Sequence, residues 1–260
     1  MNVAKYLERI GVSASLPILP TYENLCMLQL RHVLSVPYEN IDILLEKPLS
    51  LNVDDIYEKV VVNNRGGYCF ELNCLFEAFL RELGYETERF FARFWRGETG
   101  IPHRRHRVIA VKIDEKRYVA DVGIGSAAPR KPLPLEEFDE IDVYGEKYRM
   151  VCDAEFGWMI YEYTRGEWKK YFSFTEEKQY EGDFVFPSFY CEKHPESKFN
   201  KSLIVALKTE NGRMSIDGNC YKEFKGADLD YIEENLTKDK LMEILKSKFS
   251  ISLSDLPFIK

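Results

Sequence analysis

The sequence contains no closely spaced cysteine pair and few histidines. Its 260 residues include six cysteines, none of them in a C-x-x-C motif, and only four histidines. Zinc-ribbon and thioredoxin-like sites are therefore unsupported, and we expect no metal site. We expect the cysteines to be reduced thiols, most of them small buried residues. The scarcity of histidine leaves few candidates for a general base.

Long apolar runs are also absent. No segment approaches the roughly 20 apolar residues that a membrane-spanning helix needs. The N-terminal segment MNVAKYLERIGV carries charges where a secretory signal would be apolar. The formal net charge of −7 gives no reason to expect binding to nucleic acid or to a membrane surface. These features predict a cytoplasmic protein in a reducing compartment.

The pattern of the sequence changes along the chain. Residues 22–34, 54–62 and 68–83 have helical patterns, and Gly84 is a favourable residue just beyond a helix end. Antiparallel strands of a sheet or barrel are predicted by segments rich in Val, Ile, Tyr and Phe, namely 88–95, 105–113, 117–124, 147–152, 157–163, 202–207 and 213–216. Residues 227–248 return to a helical pattern. Helices followed by strands and a mixed tail indicate an α+β fold.

The segment NRGGYCFELN at residues 64–73 places Cys69 after a glycine pair and at the start of a helical pattern. The glycines allow a sharp turn, and the free N–H groups and dipole of a first helical turn favour a thiolate. Arg65 is expected to add positive potential. On this segment alone, Cys69 is either a reactive nucleophile or a packed thiol of the same kind as Cys74.

Residues 105–123 predict a hairpin that brings a histidine and an aspartate together. With a two-residue loop at 114–115, paired residues have numbers that sum to 229, so His106 faces Gly123. Asp121 then lies on the same face as His106, as its diagonal neighbour, about 7–8 Å away at the backbone. A carboxylate and an imidazole can span that gap.

This arrangement suits a Cys-His-Asp triad. Asp121 would accept a hydrogen bond from one ring nitrogen of His106, and the other nitrogen would take the proton of Cys69. His103 is the rival base, but it falls in a loop, and strands hold catalytic groups more rigidly. The structural alternative is a strand histidine that is hydrogen-bonded for stability alone.

Three segments in this order resemble the signature segments of the arylamine N-acetyltransferase family. They are RGGYCFELN at 65–73, HRVIAVKI at 106–113 and DVGIG at 121–125, with further similarity in VPYENID at 36–42 and HPESKF at 194–199. The resemblance implies an acetyl-CoA-dependent N-acetyltransferase with a ping-pong reaction. Cys69 takes the acetyl group, and the thioester then passes it to an aromatic amine or hydrazine.

The resemblance also implies a three-part fold with a papain-like Cys-His-Asp core. The parts are an N-terminal helical bundle, a central antiparallel β-barrel and a C-terminal α/β lid, with the boundaries 1–84, 85–190 and 191–260. The nucleophile falls in the first part, and the histidine and aspartate fall in the second. The implied partners are CoA and a small aromatic amine or hydrazine.

Binding residues are implied in the same way. The acceptor pocket should be apolar, and its candidate residues are Val36, Tyr38, Ile124 and Phe184. The candidate CoA contacts are Thr99, Gly100, Tyr190 and Ser197. Two positions depart from the family pattern. Asn64 stands where relatives often have Arg, and Ile124 stands where many have Phe, in the expected acceptor pocket.

The same triad would serve other reactions. A papain-like thiol hydrolase, a transglutaminase-like enzyme or an amide synthase that closes a large ring would use the same nucleophile. A catalytically silent binding protein on this fold is a third possibility, although the intact Cys, His and Asp argue against it. The ordered segments favour the N-acetyltransferase.

Overall fold

The N-terminal part of the chain is helical, as predicted, in the computed structural model, which describes residues 1–15 and 17–256. Its elements are α1 (Val3–Arg9), α2 (Tyr22–Ser35), β1 (Tyr38–Glu39), α3 (Ile41–Leu44), α4 (Val53–Tyr57) and α5 (Cys69–Glu82). The predicted helix at 54–62 is α4 followed by a π-helical turn at Glu58–Val62. Just beyond α5, Gly84 adopts a left-handed conformation with φ of 89°, which ends the helix as predicted.

One antiparallel sheet of eight strands follows α5. Its strands are β2 (Glu86–Phe94), β3 (Arg104–Ile113), β4 (Lys116–Ala120), β5 (Leu133–Pro134), β6 (Phe138–Val143), β7 (Glu146–Asp153), β8 (Gly157–Thr164) and β9 (Glu167–Phe174). They lie in the order β5-β4-β3-β2-β9-β8-β7-β6. Leu133 and Val143, from the two edge strands, share one buried apolar cluster, so the sheet is curled. Because the described edges do not pair with each other, the sheet is a half-barrel, and the expected central antiparallel β-barrel is confirmed only in part.

A second sheet lies in the C-terminal part of the chain, after helix α6 (Val185–Lys193). Its strands are β10 (Ile204–Thr209), β11 (Gly212–Asp217), β12 (Cys220–Lys225) and β13 (Asp228–Glu233), and β1 forms its other edge. Helix α7 (Lys238–Phe249) follows. The helix predicted over 227–248 is therefore wrong in its first part. Leu229 and Ile232 have helical spacing, but their segment pairs with β12 after a turn at Gly226 and leaves both side chains exposed.

Buried apolar clusters cross the predicted part boundaries. The cluster of the N-terminal helices includes Ile109 of β3 and Phe184, which lies just before α6. Ile41 of α3 belongs to the cluster that α7 forms with the second sheet. The apolar packing therefore joins the three predicted parts, and their boundaries at residues 84 and 190 stay a prediction.

Within residues 1–15 and 17–256, no helix has both the length and the apolar composition needed to cross a bilayer. The same residues contain no group of three or more His, Cys, Asp or Glu side chains that could hold a metal ion. The cytoplasmic location stays a prediction.

His32 of α2 is fully buried in the helical part of the chain. Its Nδ1 lies 2.7 Å from the Tyr6 hydroxyl, and its Nε2 has no hydrogen-bond partner among the described residues. Burial lowers the pKa of His32 to about 3, because the charged imidazolium would lose its hydration. The folded protein therefore contains neutral His32 at pH values where an exposed histidine is protonated.

We expect His32 to lower the free energy of unfolding at pH values below the ordinary pKa of histidine. Between pH 6.5 and pH 3 the unfolded chain binds a proton at His32 that the folded chain does not bind. The free energy of unfolding then falls by about 1.4 kcal/mol per pH unit. His32→Gln can still hydrogen-bond Tyr6 but does not titrate. The stability difference between wild type and variant, measured by urea unfolding, should change by about 1.4 kcal/mol between about pH 7.5 and 5.5. If the stability difference between wild type and variant did not change with pH, His32 would not be neutral in the folded protein.

Candidate active site

Cys69 is the first residue of α5, and its side chain is almost fully buried. The Tyr68 N–H before it donates to the Glu71 carboxylate at 3.1 Å, which fixes the start of the helix. The Cys69 Sγ lies 3.8 Å from the carbonyl oxygen of Arg105. Arg105 directly precedes His106 on β3, so the predicted nucleophile lies against the strand that carries the predicted base.

His106 and Asp121 form a direct hydrogen bond. Nε2 of His106 lies 2.6 Å from Oδ2 of Asp121, and both residues are buried. The other ring nitrogen, Nδ1, forms no hydrogen bond with the described residues, and neither does His106 with the Cys69 thiol. Two members of the predicted triad are therefore hydrogen-bonded to each other. The sulfur of the third, Cys69, contacts Arg105, the residue that precedes His106 on β3.

The predicted hairpin register is correct as far as Ala120. Ile113 pairs with Lys116 and Ile109 pairs with Ala120, which keeps the sum of 229. Strand β4 then ends, so the expected pairing of His106 with Gly123 does not form. On the other side of β3, His106 pairs with Ala92 of β2.

Asp121 is directed by contacts with α5. Its Oδ1 accepts hydrogen bonds from Asn73 Nδ2 at 2.9 Å and from the Gly123 N–H at 2.8 Å. The Val122 N–H donates to Asn73 Oδ1 at 2.9 Å. A Cβ atom on Gly123 would lie only 2.9 Å from Cys69 Cα and 3.0 Å from its carbonyl oxygen. The chain therefore leaves the sheet after β4 and packs on the first turns of α5.

The environment of Cys69 opposes its ionisation. Burial raises the pKa of the Cys69 thiol well above its ordinary value, and the nearby Cys191 and Asp121 raise it further. Arg105 and the Phe70 N–H lower the pKa but do not compensate for burial. Burial therefore opposes the thiolate that the start of the helix favours. Ionisation requires a proton acceptor close to the sulfur.

Arg65 does not supply free positive charge to the thiol. Its guanidinium contacts Glu39 at 2.7 Å and Asp42 at 3.1 Å, so two carboxylates neutralise it. These contacts fix the loop that leads to the glycine pair. Asn64, the departure from the family pattern, has a left-handed conformation with φ of 54°, which asparagine tolerates better than most residues.

The four candidate acceptor residues differ in their relation to the triad. Val36 and Tyr38 are buried, and a Cβ atom on Gly125 would lie 2.9 Å from Tyr38 Cβ. Ile124 immediately precedes that glycine and contacts two apolar clusters. Tyr38 and Ile124 therefore lie at the Asp121 loop, and Val36 precedes Tyr38 by two residues. Phe184 is fully buried, and the guanidinium carbon of Arg107 lies 4.6 Å from its ring centroid. An acceptor therefore reaches Phe184 only if neighbouring residues move.

Three of the four candidate CoA contacts line one cavity. Gly100, Tyr190 and Ser197 surround a volume of about 270 Å³ together with Arg105, whose carbonyl oxygen contacts the Cys69 sulfur. Thr99 is exposed and is not part of the lining. The Ser197 hydroxyl already donates to a backbone carbonyl at 2.5 Å. The cavity thus approaches Cys69, whereas the individual CoA roles stay predictions.

A larger cavity of about 770 Å³ lies between the two sheets. Seven Lys or Arg residues and three Glu residues are among its lining residues, which are drawn from separate strands and loops. Sequence analysis did not identify it, because no local motif connects these positions.

Comparison with known proteins decides the family. A family model described as N-acetyltransferase matches residues 21–257. The arylamine N-acetyltransferase of Mycolicibacterium smegmatis is 30% identical over 98% of this chain and 94% of its own length. This chain belongs to the arylamine N-acetyltransferase family. The resemblance found in the three sequence segments is thereby confirmed.

Solved structures of the family have the same fold. An arylamine N-acetyltransferase from Salmonella typhimurium matches with a TM-score of 0.91 and 26% identity, over 97% of this chain and 92% of that chain. The Mycobacterium marinum arylamine N-acetyltransferase, solved in complex with CoA, matches with a TM-score of 0.89 and 28% identity, over 96% and 93%. Enzymes of this family take their acyl group from acetyl-CoA, and this chain is an acetyl-CoA-dependent N-acetyltransferase by its membership.

We expect Gly123→Ala to separate Asp121 from α5. The added methyl group would meet backbone atoms of Cys69, so the loop must shift, at a cost of about 1–3 kcal/mol of stability. Misplacing a catalytic group by about 1 Å can reduce a rate about 10²-fold. Gly182→Ala is the matched control, since nothing lies within 4 Å of the added atom. Thermal unfolding and initial rates measure both effects; wild-type values for Gly123→Ala would show that this close contact is dispensable.

Proposed function

We propose that Cys69, His106 and Asp121 transfer an acetyl group from acetyl-CoA to the nitrogen of an aromatic amine or hydrazine. The observation that carries this proposal is the 2.6 Å hydrogen bond between His106 and Asp121, beside the sulfur at the start of α5. A buried thiol with a raised pKa needs a base, and an imidazole held by a carboxylate is one.

In the first step His106 Nδ1 takes the thiol proton while the Cys69 sulfur attacks the carbonyl carbon of acetyl-CoA. The bond from that carbon to the CoA sulfur breaks, and the CoA thiol leaves with the proton from the imidazolium. In the second step the acceptor nitrogen attacks the acetyl-Cys69 thioester and loses a proton to His106. The Cys69 sulfur then leaves and recovers its proton. Asp121 stabilises the imidazolium in both steps.

Burial of Cys69 also protects the intermediate. The residue is 4% exposed, so little water can reach a thioester on its sulfur. Exclusion of water limits hydrolysis and favours transfer to a bound amine. The cavity of about 270 Å³ beside Arg105 is the proposed entrance for the pantetheine arm of the donor.

Hydrolysis and amide synthesis would use the same nucleophile. The relatives reported above are named arylamine N-acetyltransferases, which favours the transferase. Peptide or amide cleavage in the absence of CoA would support a hydrolase instead. A protein that bound ligands but accepted no acyl group would be a silent member of the fold.

We expect acetyl-CoA alone to acetylate Cys69. Intact-protein mass spectrometry after brief exposure without acceptor should detect the mass of one acetyl group, and addition of an aromatic amine or hydrazine should remove it. Cys69→Ala should remain unmodified. Cys74→Ala is the matched control on the same helix, since its sulfur is also buried, and it should be acetylated like wild type. Absence of the adduct from a wild-type thiol that iodoacetamide still alkylates would refute the first step.

We expect Tyr190→Ala to weaken donor binding. The Tyr190 ring lines the cavity and lies 4.3 Å from the His194 ring and 5.3 Å from the His103 ring, measured between centroids. Loss of an aromatic contact should raise the KM for acetyl-CoA about tenfold, with kcat nearly unchanged. Tyr180→Ala, at an exposed tyrosine outside the cavity lining, is the control. Equal KM values for the two variants would exclude the proposed contact.

A further inference from the structure

Asn73 is a fully buried residue with three hydrogen bonds to the chain around the triad. Its Nδ2 donates to the Arg107 carbonyl at 2.6 Å and to Asp121 Oδ1 at 2.9 Å. Its Oδ1 accepts from the Val122 N–H at 2.9 Å. Both amide hydrogens are thus used, one for strand β3 and one for the carboxylate.

The location of Asn73 connects the three catalytic candidates. It follows Cys69 by four residues on α5, so the two side chains lie on the same side of the helix, one turn apart. Its β3 partner, Arg107, directly follows His106, and its other two contacts hold Asp121 and the next residue. One amide therefore contacts the segments that carry the nucleophile, the base and the carboxylate.

The two carboxylate oxygens of Asp121 have different hydrogen-bond partners. Oδ1 accepts from Asn73 and from the Gly123 N–H, whereas Oδ2 accepts from His106. Donors to Oδ1 keep the carboxylate from rotating, which leaves Oδ2 for the imidazole. A structural asparagine would need neither the carboxylate partner nor this position.

We infer that Asn73 is a positioning residue that holds the Asp121–His106 pair in register with Cys69 and maintains the ability of His106 to ionise the thiol. The inference rests on the proposed function of the triad. Asn73 touches no reacting atom in this scheme and acts through Asp121.

Alkylation of Cys69 by iodoacetamide as a function of pH tests this inference without acyl donor or acceptor. In wild type, proton transfer to His106 should give a reactive thiolate below the ordinary thiol pKa. Asn73→Ala should lose most of this low-pH reactivity. The rate constant for acetyl-Cys69 formation should fall about 10²-fold, with a KM for acetyl-CoA near the wild-type value. Wild-type alkylation profiles and acetylation rates in Asn73→Ala would overturn the inference.

Asn73→Asp gives a second, nearly isosteric test. The introduced carboxyl group would lie against Asp121, and two adjacent carboxyls raise the pKa of one of them. While protonated, it can still donate to Asp121; once ionised, it repels Asp121. As the pH rises, the acetylation rate of this variant should therefore begin to decline at a lower pH than the acetylation rate of wild type. A decline at the wild-type pH would count against the inference, because a merely structural role predicts no such shift.

Asn40 provides a matched control for the loss of a buried amide. It is 2% exposed and likewise donates through Nδ2 to two carbonyls, those of Phe199 and Ser202, and accepts the Ile204 N–H at Oδ1. Asn40→Ala should lower the Tm about as much as Asn73→Ala but leave the low-pH alkylation of Cys69 intact. If both variants lose reactivity equally, Asn73 is structural only.

The same measurements separate this inference from the proposed function. His106→Ala and Asp121→Ala should abolish the low-pH reactivity if the triad operates. If wild type itself shows no reactivity that depends on these two residues, the proposed function fails. If wild type shows it and the Asn73 variants retain it, only the role of Asn73 fails.

Discussion

Burial of the Cys69 sulfur imposes a requirement that the surrounding structure has to meet. The site excludes water and raises the pKa of the thiol, so a free thiolate is unfavourable there. Transfer of the proton to a neighbouring imidazole replaces one isolated charge with a compensated pair. In the proposed triad, the hydrogen bond between His106 and Asp121 orients the imidazole and further stabilises the imidazolium. The helix start, the strand and the loop must therefore meet at one point.

A buried charge network extends this constraint to the rest of the site. Arg107, which follows His106, is 1% exposed and pairs with Glu77 of α5 at 2.5 Å and with Glu181 at 2.7 Å. Breaking a buried pair typically costs about 3–5 kcal/mol, because one charge is left without compensation. Glu181 precedes α6, the helix that contributes Tyr190 to the cavity. Strand β3, which carries the proposed base, is thus connected by ion pairs both to α5 and to the segment that leads to the proposed donor site.

The sequence allowed prediction of those features that depend on neighbouring residues. The turn at 114–115 determined the hairpin register, and the glycine pair and following pattern located the start of α5. The end of β4 was not predictable, since it depends on contacts between Asp121 and Asn73, which lie 48 residues apart in the chain. Neutralisation of Arg65 likewise depends on carboxylates from another segment. Even so, Asn73 was present in the quoted motif four residues after Cys69, and that spacing was the available signal.

The loop at 121–125 connects the proposed catalytic aspartate with a predicted acceptor residue. At one end Gly123 packs against the Cys69 backbone, and at the other Gly125 packs against Tyr38, with Ile124 between them. If Ile124 contacts the acceptor, as the family resemblance implies, a larger side chain there changes the pocket and also displaces a loop that is confined on both sides. Since Asp121 begins the same loop, such a change alters the carboxylate as well. Acceptor preference and the reactivity of the thiol are then not independent, and substitutions at position 124 should be interpreted through both.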